Sequence, residues 1–358
     1  MWKDLDISLE KAIDLKAKPP LENLGFGKHF SDHMFLMEWH REQGWHNARI
    51  CPYRKFQMDP AATVLHYGQS IFEGLKVYRG DDGQILMFRP TDNFERMNRG
   101  AARMSMPLFP VGEVMKAVKA LVYLDRDWIP RGDGASLYLR PIMIGVDPYL
   151  GLKPSETYTF FVIMSPVGPY YPEGFSPTKI YVCKDYARAV RGGVGDVKTA
   201  GNYAASLLAT EVAKKEGYTQ VLWLDACERK YLEEVGTSNI FFSIGDKLVT
   251  PPLNGSILGG ITRNSVIQLA GSWGIEVEER PITIHEVLSA SENGSLKEIF
   301  ATGTAAVISP VGELHYGDTS CIINNGQSGE LAVRFFKNLQ AIQYGRAEDP
   351  FGWTVRVV

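Results

Sequence analysis

The stretch Gly192-Gly193-Val194-Gly195-Asp196-Val197-Lys198-Thr199-Ala200-Gly201-Asn202-Tyr203 sets one lysine among glycines. Glycines let a backbone turn tightly and approach other groups closely. Residues 204–216 then read as a helix, closed by Gly217. Lys198 therefore stands at the mouth of a helix, in a run short of other charge. A long cationic side chain there is either a surface residue or an amine held for chemistry. Within this window the surface reading is favoured, because most lysines are exposed. The rest of the chain has to decide.

The chain has 358 residues, 45% hydrophobic and 22% charged, a globular composition long enough for two domains. A formal net charge of −3 argues against a nucleic-acid binder and against a polybasic membrane anchor. The start, Met1-Trp2-Lys3-Asp4-Leu5-Asp6, is polar and unlike a secretory signal. No apolar run reaches the about 20 residues that span a bilayer. Cys51, Cys183, Cys227 and Cys321 lie far apart without a Cys-x-x-Cys pair, so no zinc or other metal and no disulfide framework is expected. A reducing cytoplasm fits that usage.

An irregular arm is expected over the first 30 or so residues, then a hairpin over 31–50 broken at Glu42-Gln43-Gly44-Trp45. Strands follow at 75–78 and 84–89. Pro90 ends the second, and Asp92 is placed to cap a helix over 93–104 that turns Phe94, Met97 and Ala101 inward. A helix over 111–125 turns Val114, Val118, Leu121 and Val122 inward, and the apolar runs 136–144 and 157–164 read as buried strands. The segment 165–178 carries Pro166, Gly168, Pro169, Pro172, Gly174 and Pro177, which marks a boundary. The division is 1–168, a linker at 169–178, and 179–358. Beyond it come strands at 179–185, 220–225, 239–244 and 247–250, the last two joined by Gly245-Asp246. Helices over 261–270, 284–290 and 329–342 and strands at 280–283 and 298–302 complete the pattern.

Several segments carry possible chemistry. Gly259-Gly260 before a helix offers backbone N–H groups and the positive end of a helix dipole, suited to a phosphate, or is a plain turn. Thr302-Gly303-Thr304-Ala305 offers hydroxyls and amides to an anion. Arg89 clamps a phosphate or pairs with Asp92. Glu234 beside Glu233 is most economically a solvated pair, since an inward carboxylate needs a cationic partner. Together they ask for a ligand with an aldehyde for the lysine, a phosphate for the helix mouth and a ring nitrogen for the carboxylate. Pyridoxal 5′-phosphate has all three. No Gly-x-x-x-x-Gly-Lys-Ser/Thr or Gly-x-Ser-x-Gly occurs.

From about Phe26-Gly27-Lys28 onward the chain resembles the branched-chain amino-acid aminotransferases of the fold type IV pyridoxal-phosphate enzymes. The resemblance rests on Phe72-Glu73-Gly74-Leu75-Lys76, Leu139-Arg140-Pro141, Gly193-Val194-Gly195-Asp196, Gly201-Asn202-Tyr203, Glu234-Val235-Gly236-Thr237-Ser238-Asn239 and Gly303-Thr304-Ala305. It implies a mixed α and β fold, with a smaller N-terminal α/β domain and a larger C-terminal β-pseudobarrel domain flanked by helices. It implies that Lys198 bonds the cofactor and later carries the proton. Tyr203 would bond the phenolic oxygen, and Glu234 would pair with the ring nitrogen. Arg89, Gly260, Ile261, Thr262 and Thr304 would hold the phosphate, with Leu258 packed on the ring and Thr237 beside the cofactor. Phe26, Phe72, Tyr138, Tyr170 and Thr237 would wall an apolar substrate pocket that Tyr67 and Leu152 reach from a partner subunit. The Thr304 and Ala305 amides would take the α-carboxylate and Arg140 the distal carboxylate of glutamate.

The implied reaction is a reversible ping-pong transfer of the amino group of L-leucine, L-isoleucine or L-valine to 2-oxoglutarate, giving L-glutamate, in a homodimer. D-amino-acid aminotransferase and aminodeoxychorismate lyase are the alternatives on the same fold; both are usually shorter and lack the long arm and the Leu-Arg-Pro strand. Where vertebrate members carry a Cys-x-x-Cys, this chain has Ala306-Val307-Ile308-Ser309, so no thiol switch of that kind is expected.

Overall fold

The structure, a computed structural model, describes residues 5–168 and 175–358. The chain forms two compact units. One comprises Met1–Pro172, Val197–Ala200 and Ala341–Val358; the other comprises Glu173–Asp196 and Gly201–Gln340. A linear cut at 169–178 would leave the lysine segment and the C-terminal tail with the second. Backbone pairing explains why the lysine segment does not stay there. The Phe72 N–H donates to the Lys198 carbonyl at 2.9 Å, and Ile71 forms a β-bridge with Thr199. The Thr199 hydroxyl donates to the Ser70 carbonyl at 2.8 Å, and Val197 is buried in the first unit's core.

In the first unit the elements are β1 Ser8–Leu9, β2 His33–His40, β3 Gly44–Pro52, α1 Thr63–Tyr67, β4 Ser70–Phe72, β5 Leu75–Arg79, β6 Ile85–Phe88, α2 Pro90–Arg103, α3 Val111–Leu124, β7 Ser136–Gly145 and β8 Thr157–Val167. Its sheet runs β1-β3-β2-β8-β7-β5-β6 and ends on a strand at Thr354–Arg356, with β4 also paired to β7. The two apolar runs are β7 and β8, antiparallel from Ser136↔Val167 to Gly145↔Tyr158. A strand's side chains alternate between faces. Leu137, Leu139 and Met143 of β7 therefore enter the core with Phe94, Met97 and Ala101 of α2 and Val114, Val118, Leu121 and Val122 of α3. Tyr138 and Arg140 point the other way and are only half-buried.

One cap differs from expectation. Helix α2 starts at Pro90, and its N-cap is Arg89, whose φ of 48° lies in the left-handed region. Proline is preorganised for the first helical position and lacks the N–H that would be orphaned there. Asp92 instead accepts a hydrogen bond from Arg89 Nε at 2.6 Å.

The second unit contains β9 Thr178–Cys183, α4 Ala200–Lys215, β10 Gln220–Leu224, β11 Leu232–Val235, β12 Asn239–Ile244, β13 Lys247–Thr250, α5 Ile261–Ser272, β14 Val277–Glu279, α6 Ile284–Glu292, β15 Leu296–Gly303, β16 Val307–Tyr316, β17 Thr319–Ile322 and α7 Glu330–Gln343. The sheet of this unit runs β11-β10-β9-β16-β15-β12-β13-β14, with β17 on β16. The β12–β13 hairpin turns at Gly245-Asp246, where Gly245 has a φ of 61°. The strand expected at 280–283 is instead β14, ending at Glu279; Pro281 has no N–H for a ladder. The core joins Ile180, Val182, Leu222, Leu224, Ile240, Phe242, Ile299 and Leu314. Among the described residues no helix is long and apolar enough to cross a membrane.

Candidate active site

In the first unit the side chains expected to meet substrate are gathered around β4 and β7. Pairing of Phe72 with Ile142 across β4 and β7 puts the Phe72 ring near Arg140, whose guanidinium lies 4.8 Å from the ring centroid. The same guanidinium lies 5.3 Å from the Tyr138 ring, and Arg140 Nη2 donates to the Tyr138 hydroxyl at 3.1 Å. Phe26 meets Tyr138 edge to face at 5.0 Å. Lys198 Nζ lies 5.1 Å from the centroid of Phe72. A Cβ on Gly74 would overlap the Tyr138 hydroxyl, so this corner requires glycine. The Arg140 Nε is buried without a hydrogen-bond partner, so aromatic faces supply much of the guanidinium's surroundings. The arrangement is an apolar cage with one recessed cation and one amine.

Arg89 of the same unit has its side chain mostly buried against Trp353, 5.5 Å from the ring, while holding Asp92. Its backbone N–H donates to the Trp353 carbonyl at 2.7 Å. Tyr67 and Leu152 stand apart from this cage; both are exposed, Leu152 at 83%. The Tyr67 hydroxyl donates to the Leu150 carbonyl and so ties α1 to the loop that carries Leu152. Tyr170 lies outside the described residues.

In the second unit the decisive side chain is Glu234 on β11. Expected as half of a solvated pair, it is 2% exposed and Glu233 is 4% exposed. The cationic partner that burial demands is Arg188, whose Nη2 lies 2.5 Å from Glu234 Oε2. Arg188 also donates to the carbonyls of Gly195, at 2.9 Å, and of Ser256. Asn239 Nδ2 donates to Glu234 Oε1 at 3.3 Å and to the Leu258 carbonyl at 2.9 Å. The Leu258 N–H reaches Glu234 Oε2 at 3.4 Å. Sequence reading missed Arg188 and gave Asn239 no role. The signal was available in principle, since a buried carboxylate needs a cation, but no local spacing says which arginine supplies it.

The glycines here have steric reasons. A Cβ on Gly195 would strike the Ser256 carbonyl, and one on Gly260 would strike Asn239 Oδ1. Gly260 is the N-cap of α5, and the first intrahelical bond runs from Asn264 N–H to the Gly260 carbonyl at 3.0 Å. The Ile261 and Thr262 amides thus precede the ladder at the positive end of the helix. Thr237 sits exposed in the turn after β11, closed by Ser238 N–H to Val235 O at 2.9 Å. Thr304 and Ala305 are half-buried after β15, and Tyr203 is half-buried in the first turn of α4. Each unit therefore assembles its own share of the expected residues.

The model of the amino-transferase class IV family matches residues 70–314. Over 351 residues, 98% of this chain and 97% of the other, the sequence is 52% identical to branched-chain-amino-acid aminotransferase 2 of Bacillus subtilis (strain 168). The chain belongs to the branched-chain amino-acid aminotransferases. Solved structures of this family agree with the fold. The Escherichia coli branched-chain amino acid aminotransferase superposes with a TM-score of 0.77 at 25% identity, covering 91% of this chain and 99% of that one. The branched-chain aminotransferase of the thermophilic archaeon Thermoproteus uzoniensis, solved with norvaline, gives 0.75 at 26% identity, covering 90% and 100%. As a member of class IV, this aminotransferase has the mixed α and β, two-domain fold type IV architecture, with a curled sheet flanked by helices in one part.

Proposed function

We propose that this protein transfers the amino group of L-leucine, L-isoleucine or L-valine reversibly to 2-oxoglutarate, using pyridoxal 5′-phosphate. The observation that carries the reading is Arg140, a guanidinium recessed among Phe72 and Tyr138. Aromatic walls suit a branched aliphatic side chain, and the cation suits the distal carboxylate of glutamate. When leucine occupies the cage, Arg140 keeps its bond to the Tyr138 hydroxyl. Another branched-chain amino acid aminotransferase of this fold, 26% identical to this chain, has been solved complexed with N-(5′-phosphopyridoxyl)-L-glutamate, in keeping with glutamate as a substrate.

The residues fit pyridoxal phosphate. Glu234 is a buried anion matched by Arg188 and Asn239, suited to a protonated ring nitrogen. The α5 N-terminus suits the phosphate, together with Arg89 and the Thr304 hydroxyl, and glycine at 260 lets Asn239, which also bonds Glu234, pack against the helix start. When bound, the cofactor supplies an electrophilic carbon and an electron sink. Lys198 Nζ is the base that takes the substrate α-proton and returns it. Tyr203 orients the phenolic oxygen, Leu258 packs on the ring and Thr237 lines its edge. The Thr304 and Ala305 amides hold the α-carboxylate. Tyr67 and Leu152, exposed here, reach the pocket from the partner in a homodimer, and Tyr170 is assigned to the wall that includes Phe26, Phe72 and Tyr138. Cytoplasmic residence belongs to this reading, supported by four free cysteines.

The test is borohydride reduction of protein loaded with pyridoxal phosphate, followed by peptide mapping. Wild type acquires the label at Lys198 and Lys198→Ala acquires none. Equal labelling of both proteins, or none in wild type, defeats the reading. Assays with leucine, isoleucine, valine and D-alanine as donors then separate it from D-amino-acid aminotransferase.

A further inference from the structure

Glu233 is a buried carboxyl that the chemistry above does not use. Its Oε1 contacts the Ser256 hydroxyl, and its Oε2 is buried with no hydrogen-bond partner. The Ser256 hydroxyl also lies 2.7 Å from Asn254 Oδ1. That amide cannot be turned around, because Asn254 Oδ1 accepts the Ser256 backbone N–H at 3.1 Å. Glu233 and Asn254 thus each present an oxygen to one serine hydroxyl, which owns a single proton. Two close oxygen pairs need two protons. The Asn254 carbonyl has none to give, so a proton on Glu233 is what gives each pair its own two-centre bond.

We propose that Glu233 is a neutral carboxylic acid in the working protein and a positioning residue for the ring-nitrogen site. Its O–H donates to Ser256 Oγ, and the Ser256 O–H donates to Asn254 Oδ1. This fixes the 254–258 segment by its side chains, while Glu234 and Asn239 fix the same segment through the Leu258 N–H and carbonyl. Arg188 donates to the Ser256 carbonyl and faces Glu234, so its charge stays committed to one anion. An ionised Glu233 would put a second anion near that guanidinium with one oxygen unsolvated, which a buried site disfavours. Burial pushes the Glu233 carboxyl up from its ordinary value, with the Asp225 charge acting in the same direction and the Arg188 and Arg191 charges against it.

The functional half of this assignment rests on Glu234 as the ring-nitrogen partner; the protonation half does not. Infrared difference spectra of cofactor-free protein at pH 7.5 (about three units above a free glutamate) therefore come first. A protonated-carboxyl stretch present in wild type and absent from Glu233→Gln is expected, and its absence from wild type overturns the proposal. Ser256→Ala provides an independent check, because the acid loses its acceptor and the band must shift; an unshifted band also overturns it. Pyridoxal phosphate binding is then measured for each variant. Glu233→Gln, which keeps a donor to Ser256, should bind within about twofold of wild type, and Glu233→Ala about tenfold more weakly, the effect of one lost buried hydrogen bond. Equal weakening in both variants overturns the positioning role. Failure of wild type itself to bind pyridoxal phosphate would instead refute the proposed function and leave the infrared result standing.

Discussion

At the scale of single residues, the site is a set of charges that only make sense in pairs. Removing Arg188 leaves Glu234 as an uncompensated buried anion, a change that typically costs about 3–5 kcal/mol. Arg188→Met should therefore lower the unfolding free energy of the cofactor-free protein, measured in urea, by that much. Arg188→Lys should recover part of it, because an ammonium keeps the charge but lacks the fork that meets two carbonyls. Arg140 predicts a different asymmetry. Truncating one partner of a desolvated charge pair costs about 2–5 kcal/mol, so Arg140→Ala should lower kcat/KM for 2-oxoglutarate by roughly a hundredfold or more. Leucine, which leaves the guanidinium on Tyr138, should lose far less. Equal losses in paired steady-state assays would count against the division of labour between cage and cation.

At the scale of elements, the joints are made by side chains remote in sequence. Glu298 accepts the Leu331 and Ala332 N–H groups, both at 2.9 Å, and so caps α7 from β15. The Thr283 hydroxyl accepts from Glu286 N–H at 3.0 Å and caps α6 locally. Thr283→Ala should cost about 1 kcal/mol by chemical denaturation, the usual worth of such a cap. The arm is held in the same manner. Ala12 N–H donates to His33 Nε2 at 2.8 Å, and Lys16 N–H donates to Asp32 Oδ1 at 2.8 Å. Expected as irregular, the described part of the arm instead carries the short strand β1, paired with β3, and is otherwise anchored at these points. Strand β16 escaped the sequence because Pro310 and Gly312 interrupt its pattern, yet Pro310 pairs with Phe300 in the ladder.

At the scale of the whole molecule, stability should follow pH in two opposite ways. Burial raises the Glu298 carboxyl above its ordinary value, outweighing the two amide bonds. A carboxyl raised on folding contributes its stability below the unfolded value near 4.3 and loses it as pH climbs through the folded value. Glu298→Gln does not titrate, so its stability relative to wild type should rise with pH across that window and then level off. Denaturation midpoints at several pH values check the sign. Asp225 behaves oppositely: although burial opposes it, four backbone N–H bonds hold its carboxyl low, and that stability is lost on acidification. The exposed Leu152 and Tyr67 carry the prediction about assembly. Sedimentation should give a dimer, and Leu152→Asp should lower leucine kcat/KM with Lys198 intact.

The sequence by itself determined much of this molecule. Apolar runs placed β7 and β8, and periodicity placed α2 and α3 and turned the right helix side chains inward, because burying a strand or one face of a helix is a local pattern. The ordered motifs around Lys198, Arg140 and Glu234 specified the family because each is a short run of fixed residue types and they recur together in order. Tertiary structure decided what spacing cannot encode. It showed Glu233 and Glu234 buried, supplied Arg188 from 46 positions upstream of Glu234, and returned Lys198 to the unit that holds Phe72. A charge can be buried only where a partner arrives from elsewhere in the chain, and that arrival belongs to the fold.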